Sequence, residues 1–290
     1  MRVLVTGVSG FSGSYVARFL AQAGFDVVGL YRRETALLSE LYAIPELKLV
    51  RADLVEAAAF PGPFEAVVHA AATSPGPGVG VAQIVGDNVG GTFALIDAAL
   101  GWQTRYFLFC SSMSIYGAIT DEVVDESSAI QNPDVYGATK FLAERRLAEL
   151  SGTMSGLALR LPGIIGPGAR RNWLSVVAAG LRRGSTIKAF HLDRPFNNAA
   201  HVEDVAVLIE TVLRRGWTGF DAIVLGAGGM TTVRGAIERL AAGLGVAVRI
   251  ETATAAKPSF TLSCRRAIDR YQYNPMDIEA MIDRYAREFA

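Results

Sequence analysis

Three glycines within seven residues, Gly7, Gly10 and Gly13, interrupt the chain between the apolar run Val3-Leu4-Val5 and a helical pattern. A strand that ends in a Gly-rich turn and opens a helix gathers backbone N–H groups at the positive end of the helix dipole. That arrangement suits a pyrophosphate: Gly7 permits the tight turn, Gly10 lets phosphates approach, and Gly13 lets helix pack on strand. The spacing is G-x-x-G-x-x-G, and a Gly-rich turn with no ligand remains the plainer alternative.

The rest of the chain bounds the fold. Its 290 residues, 51% apolar and 19% charged, predict a globular protein of one elaborated domain or two coupled ones. Zero formal net charge and the lack of a basic run argue against a nucleic-acid partner. Two cysteines, Cys110 and Cys264, have no metal-type spacing, so a reduced compartment and no metal site are expected. The apolar N-terminal run is too short for a signal peptide, and no stretch approaches the roughly 18 apolar residues of a membrane span. A soluble, cytoplasmic protein with no membrane partner is the expectation.

Along the chain, Val16, Phe19, Leu20 and Ala23 share a helical face that Gly24 terminates. Strand-like runs follow at 26–31, 47–51, 66–70, 106–110 and 157–161, with helical stretches at 84–100 and 136–150. Alternating strands and helices with continuous apolar strands predict an α/β fold with a doubly wound parallel sheet, Rossmann-like in form. Beyond Gly166-Pro-Gly168 the pattern loosens: helices are expected at 173–181, from 201, at 232–244 and at 277–289, and a returning strand at 222–225. We read residues 1–166 with 201–226 as a dinucleotide-binding domain, and 167–200 with 227–290 as a smaller C-terminal α/β substrate lobe.

Tyr136 and Lys140 lie four residues apart, on one face of a predicted helix. A phenol has an ordinary pKa near 10, and a neighbouring cation favours its ionised form, bringing it toward working range as a proton carrier. The same spacing also arises on ordinary amphipathic helices. Twenty-four residues upstream, Ser112 ends a strand in the hydroxyl-rich run Ser111-Ser-Met-Ser114. These serines suit either turn hydrogen bonds or the orientation of a substrate oxygen at the carboxyl edge of the sheet.

Taken together, these motifs resemble those of the extended short-chain dehydrogenases/reductases of the NAD-dependent epimerase/dehydratase family. The resemblance runs through Thr6-Gly-Val-Ser-Gly-Phe-Ser-Gly13, Asp53-Leu54, His69-Ala-Ala-Ala72, Asn88-Val-Gly-Gly-Thr92, Ser111-Ser112 and Ile115-Tyr-Gly117. It continues through Tyr136-x-x-x-Lys140, Arg160, Gly166-Pro167 and His201-Val-Glu-Asp204. It implies a catalytic set of Ser112, Tyr136 and Lys140. It implies further that Gly7, Ser9, Gly10, Phe11, Gly13, Asp53, Leu54, Ala70, Ala71, Ala72 and Ile164, with Tyr136 and Lys140, contact a dinucleotide. A homodimer through the helices 84–100 and 136–150 is also implied. Asp53 and Asn88 read equally well as an ordinary turn residue and a helix cap.

Family members selective for NAD resemble one another in an acidic residue at the end of the second strand. Here Tyr31, Arg32 and Arg33 stand there, and two guanidiniums favour NADP over NAD through a 2′-phosphate. The 4,6-dehydratases of the family carry a carboxylate after the fifth strand, where this chain has Ser112, Met113 and Ser114, so a 4-epimerase or 4-keto reductase is expected instead. The substrate is less constrained. A nucleotide sugar is expected from the family, with Ser74, Asn88, Ser112, Met113, Asn172, Arg194 and Asn197 as candidate contacts. Yet Gly163 and Asn197 stand where sugar-nucleotide epimerases resemble one another in an Asn and an Arg. A carbonyl reductase of a non-nucleotide substrate, or a non-catalytic NADP-sensing regulator, therefore stays open. His69 and His201 are read as structural.

Overall fold

In the computed structural model, which describes residues 1–60, 62–255 and 257–289, the chain divides into two compact units. The first comprises Met1–Ala118, Ile130–Arg160 and Ala206–Ile223; the second comprises Ile119–Ala129, Leu161–Val205 and residues 224–289.

The first unit is built on a seven-stranded sheet: β1 (Arg2–Thr6), β2 (Asp26–Tyr31), β3 (Leu47–Arg51), β4 (Ala66–His69), β5 (Tyr106–Ser112), β6 (Ser155–Leu161) and β7 (Phe220–Val224). Their order across the sheet is β3-β2-β1-β4-β5-β6-β7. The β3–β2, β2–β1, β1–β4 and β4–β5 pairs are all parallel, with Val5 opposite Gly29 on one side and Val68 on the other. The chain winds outward in one direction from β1 and in the other from β4, so a topological switch point falls between β1 and β4, where ligands collect outside the carboxyl ends of the strands. This is the doubly wound, Rossmann-like sheet predicted from the alternation of apolar strands and helices.

Continuous apolar runs make central strands because both faces of the sheet are covered. Val3, Val5, Val67, Val68, Phe107 and Leu108 are essentially inaccessible to solvent. Helix α1 (Phe11–Gln22) buries Val16, Ala17, Leu20 and Ala21. Helix α2 (Ala36–Tyr42), not foreseen in the sequence, buries only Leu38 and Leu41, too few positions to establish a period.

The predicted helix 84–100 is three segments in succession: α3 (Val81–Val85), a π-helical turn (Gly86–Gly90) and α4 (Gly91–Gly101). Helix α5 (Val135–Glu149) carries the Tyr-Lys pair and is capped by Asp134, whose carboxylate accepts from the Gly137 N–H at 2.7 Å.

Short strands and helices make up the second unit. Val123–Val124 pairs with Thr261–Leu262, and Gly163–Ile165 pairs with Ala199–His201. Those pairings draw 119–129 and 161–166 into the second unit, whereas the sequence reading carries them with the first. Helices α6 (Trp173–Arg182), α7 (Val202–Arg215), α8 (Val233–Leu244), α9 (Arg265–Tyr271) and α10 (Ile278–Glu288) complete the chain; the first residues of α7 belong to the second unit and the remainder to the first. Among the described residues, no helix is long and apolar enough to cross a membrane.

Two helical glycines have opposite surroundings. A Cβ at Gly13 would lie 2.3 Å from the Gly7 carbonyl oxygen, whereas one at Gly86 would meet nothing within 4 Å. Gly13→Ala is therefore expected to destabilise the protein by about 1–3 kcal/mol through forced backbone movement. Gly86→Ala should be neutral or stabilising by up to about 1 kcal/mol through helix propensity. Urea midpoints of the two variants check both values; equal midpoints would deny the close packing at Gly13.

Candidate active site

Gly7 ends β1 with φ of +75°, a conformation open to glycine, and its N–H donates to the Leu30 carbonyl at 2.9 Å. A Cβ on Gly7 would come within 2.7 Å of the Ala71 backbone. The turn thus brings β1, β2 and the segment after β4 together by backbone contact. Gly10 begins α1 without a side-chain cap, and the first turn carries no acidic residue. The leading N–H groups of the helix therefore meet no carboxylate of their own.

A cleft of about 240 Å³ opens at this point. Gly7, Ser9, Gly10, Tyr31, Arg32, Arg33, Asp53, Leu54, Ala70, Ala71 and Ala72 line it, together with Leu30, Ala52, Thr73 and Asp87. Most of the residues expected at a dinucleotide thus meet at the carboxyl ends of β1 to β4. Phe11 and Gly13 lie in the first turn of α1 outside the lining, and Ile164 belongs to the second unit. A helix N-terminus without an acidic cap beside glycines that admit close approach fits a dinucleotide's pyrophosphate.

Arg32 and Arg33 differ. The Arg32 guanidinium is bound end-on by Asp87, through Nη1 and Nη2 at 2.9 Å each, with Asp53 at 3.5 Å. Arg33 is exposed and has no hydrogen-bond or ion-pair partner among the described residues. Tyr31 turns its hydroxyl to Glu34 at 2.8 Å and to Tyr42 at 2.8 Å, and these bonds raise its pKa. Asp53 also caps the short 3₁₀ turn Leu54–Ala59, so its helix-cap reading and its place in the cleft hold together.

Behind the glycine turn, His69 is wholly buried between two threonine hydroxyls, Thr6 at 2.7 Å and Thr92 at 2.8 Å. Burial first, and then the charge of Lys140, push its pKa down to about 3. The ring is a neutral brace between β1, β4 and α4.

The Tyr-Lys pair sits at the same sheet edge. Gly137 allows α5 to meet the turn after β5, since a Cβ there would lie 2.1 Å from the Ser114 carbonyl oxygen. Ser112, Met113 and Ser114 form that turn, with the Ser112 hydroxyl accepting from the Ser114 N–H at 3.1 Å. The Tyr136 phenol bonds to the Ser74 side chain and is half-buried, and desolvation raises its pKa. Lys140 is buried, donates to the Cys110 carbonyl at 2.7 Å, and lies 5.7 Å from the Tyr136 ring centroid. Burial lowers its pKa to about 8.

One turn further along α5, buried Glu144 accepts from the Ser111 hydroxyl at 2.5 Å and from Arg160 at 2.8 Å. Arg160 also donates to the Tyr116 hydroxyl at 2.8 Å. This network fixes α5 to β5 and β6, and the sequence reading assigns Glu144 no role. Its signal was an acidic residue four positions after Lys140 on a helix whose buried face it shares.

The remaining candidates are placed elsewhere. Asn88 is buried and spends its amide on the Thr73 backbone, at 2.7 and 3.0 Å, and on Thr139 at 3.2 Å. In the second unit, Asn197 is likewise closed on the backbone of Leu262, at 2.8 Å both ways, and Arg194 pairs with Glu122. Asn172 caps α6 and lines a cavity of about 470 Å³ walled by Trp173, Phe190, Phe196 and Phe260. His201 bonds to Glu288 at 2.9 Å, again a structural contact. Among the described residues, no group of three His, Cys, Asp or Glu side chains is placed to hold a metal ion.

A model of the NAD dependent epimerase/dehydratase family matches residues 3–226. The chain is 28% identical to the UDP-glucose 4-epimerase of Bacillus subtilis over 162 residues, 52% of this chain and 48% of that protein. It is 31% identical to the D-erythronate dehydrogenase of Cupriavidus necator over 202 residues, 63% of this chain and 61% of that protein. These matches span about half of the length of the curated relatives. Among solved structures, the UDP-glucuronic acid 4-epimerase of Bacillus cereus in complex with NAD superimposes with a TM-score of 0.86 at 19% identity, covering 100% of this chain and 98% of that one. At that identity the likeness establishes the fold.

His69 makes the site's acid sensitivity predictable. Below pH 6.5 the unfolded chain takes up a proton that the folded chain refuses until about pH 3, so stability falls as pH falls through that window. The loss attributable to this ring approaches about 1.4 kcal/mol per pH unit. Urea unfolding between roughly pH 6 and 4 should be less steeply pH-dependent in His69→Gln than in the wild type; parallel slopes would mean that the buried ring protonates freely.

Proposed function

The chain belongs to the NAD dependent epimerase/dehydratase family, and from that premise we propose that it performs Tyr136–Lys140-assisted hydride transfer at a carbinol or carbonyl carbon of a small-molecule substrate. The observation that carries this reading is the position of the glycine-lined cleft, Ser112, Tyr136 and Lys140 along the carboxyl edge of one sheet. Gly7, Ser9 and Gly10 would hold the pyrophosphate at the start of α1, Asp53 and Leu54 the adenine, and Ala70 to Ala72 the inner wall. A nicotinamide held there would supply the hydride donor and acceptor.

The chain's own groups handle the proton and the oxygen. Tyr136 would pass a proton to or from the substrate oxygen, and Ser112 would hold that oxygen by hydrogen bond. Burial opposes the tyrosinate; a neighbouring cation favours it, and Lys140, 5.7 Å from the ring on the same helix face, would supply that charge. The Ser74 bond to the phenol works in the same direction.

NADP is the favoured dinucleotide, on the strength of Arg33, a guanidinium at the cleft without a partner among the described residues. Arg33→Ala is expected to weaken NADP binding by about tenfold and NAD binding much less, consistent with a lost charged hydrogen bond. Equal weakening of both, in calorimetric titrations, would remove Arg33 from phosphate recognition.

The relatives' names support a nucleotide sugar as substrate, through 4-epimerisation or 4-keto reduction. Ser112-Met-Ser114 offers no carboxylate, which speaks against 4,6-dehydration. A second reading, reduction of a non-nucleotide carbonyl compound, is favoured by the buried amide of Asn197, which is closed on the Leu262 backbone and not open to a diphosphate. A homodimer is inferred from exposed Val81, Val85, Val135 and Leu142 on α3 and α5, and the free, buried cysteines suit the cytoplasm.

Tyr136→Phe should reduce turnover of a UDP-sugar or ketone substrate at least roughly a hundredfold, the usual size of a lost acid-base group. Dinucleotide binding should stay within about threefold. Undiminished turnover would exclude Tyr136 from the chemistry.

A further inference from the structure

The Arg32–Asp87 pair is built more firmly than a surface contact requires. Both residues line the glycine cleft. Arg32 follows β2, and Asp87 comes from the π-helical turn that separates α3 from α4. Two parallel bonds of 2.9 Å join guanidinium to carboxylate. The carboxylate is fixed from behind by the Thr73 hydroxyl at 2.5 Å and by the Gln83 side chain. Asn88, the next residue, locks the same turn onto the Thr73 backbone and onto Thr139 of α5. Asp87 therefore cannot follow Arg32 if the guanidinium moves. The pair is only partly accessible, with 40% of the Arg32 side chain and 25% of the Asp87 side chain exposed.

A guanidinium that presents one edge bidentately to a carboxylate cannot offer that edge to a phosphate. A 2′-phosphate arriving at Arg32 must break the pair or accept the remaining donors, and it must do so beside two carboxylates, Asp87 and Asp53. A ribose hydroxyl meets no such opposition, because it can donate to either carboxylate.

We propose that Asp87 sets the dinucleotide selectivity of the cleft by withholding the Arg32 guanidinium from a 2′-phosphate. The inference rests on the reading of the cleft as a nicotinamide-dinucleotide site. It makes Asp87, a residue on the helix after β4, the selectivity residue for a phosphate expected near the end of β2. Arg33 is left as the guanidinium that discriminates in favour of NADP, and Asp87 as the group that limits how far that discrimination goes.

The experiment is calorimetric titration of NAD and NADP into the full chain and its variants at one fixed ionic strength. Asp87→Asn keeps the shape and an acceptor for Thr73 but removes the charge. It should tighten NADP by about tenfold while NAD changes less than about threefold, the scale of one charge-assisted contact regained. Asp87→Ala should shift the ratio in the same direction. In an Arg32→Ala background, Asp87→Asn should shift the NADP-to-NAD ratio clearly less than in the wild-type background, because only the carboxylate's repulsion is relieved and no guanidinium is released. An unchanged ratio in both Asp87 variants, or equal loss of both dinucleotides, would overturn the inference and leave Asp87 a structural strut. If the folded wild type binds neither dinucleotide, the cofactor reading itself fails and this inference falls with it.

Discussion

Backbone lies against backbone at the glycine turn, and the rest of the first unit is arranged around that contact. Gly13 admits no side-chain carbon because the Gly7 carbonyl occupies the space, and Gly7 admits none because the Ala71 backbone does. The contacts leave helix α1 aimed at the end of β1 with no side chain between them. A positive helix end and a narrow cleft follow from that packing, not from any charged residue. Larger residues at Gly7 or Gly13 would separate α1 from the sheet and open the cleft.

A set of buried polar contacts carries the geometry from the glycine turn to the Tyr-Lys helix. His69 braces β1 and β4 to Thr92 of α4. Asn88 ties the π turn to Thr73 and to α5 at Thr139, next to Lys140. Glu144 and Arg160 bind α5 to β5 and β6 from the other side. Each group is nearly or wholly buried, and each is satisfied, which is the condition under which buried polar networks fix a single arrangement. Leaving Glu144 or Arg160 alone would strand a charge inside the unit.

The elements legible in the sequence are those written in periodic apolar residues. The apolar pattern marks strand β2 to its observed ends, and α5 to within one residue of each of its ends, because long apolar or amphipathic runs leave little choice of period. The cleft-lining glycines are legible from their spacing, whereas Asp53 and the alanines after β4 are legible only through the family resemblance. What escaped is relational. No local pattern announces that Arg32 is spent on Asp87, fifty-five residues away, or that Asn88 and Asn197 turn inward to backbone groups. The π turn is equally silent, since Gly86-Asp-Asn-Val-Gly90 fits an α-helical register as well. Guanidiniums and amides read from sequence are candidates; their partners decide which of them remain available.

On the proposed function, the Gly7–Gly10–Gly13 turn would hold one nicotinamide dinucleotide per chain. Native mass spectrometry of the intact protein, with NADP or NAD added, tests it most directly. The expected result is a folded chain carrying one dinucleotide, with that adduct lost or greatly reduced in Gly13→Ala. A folded chain that takes up neither dinucleotide, or takes up either one equally well with Gly13 replaced, would contradict it.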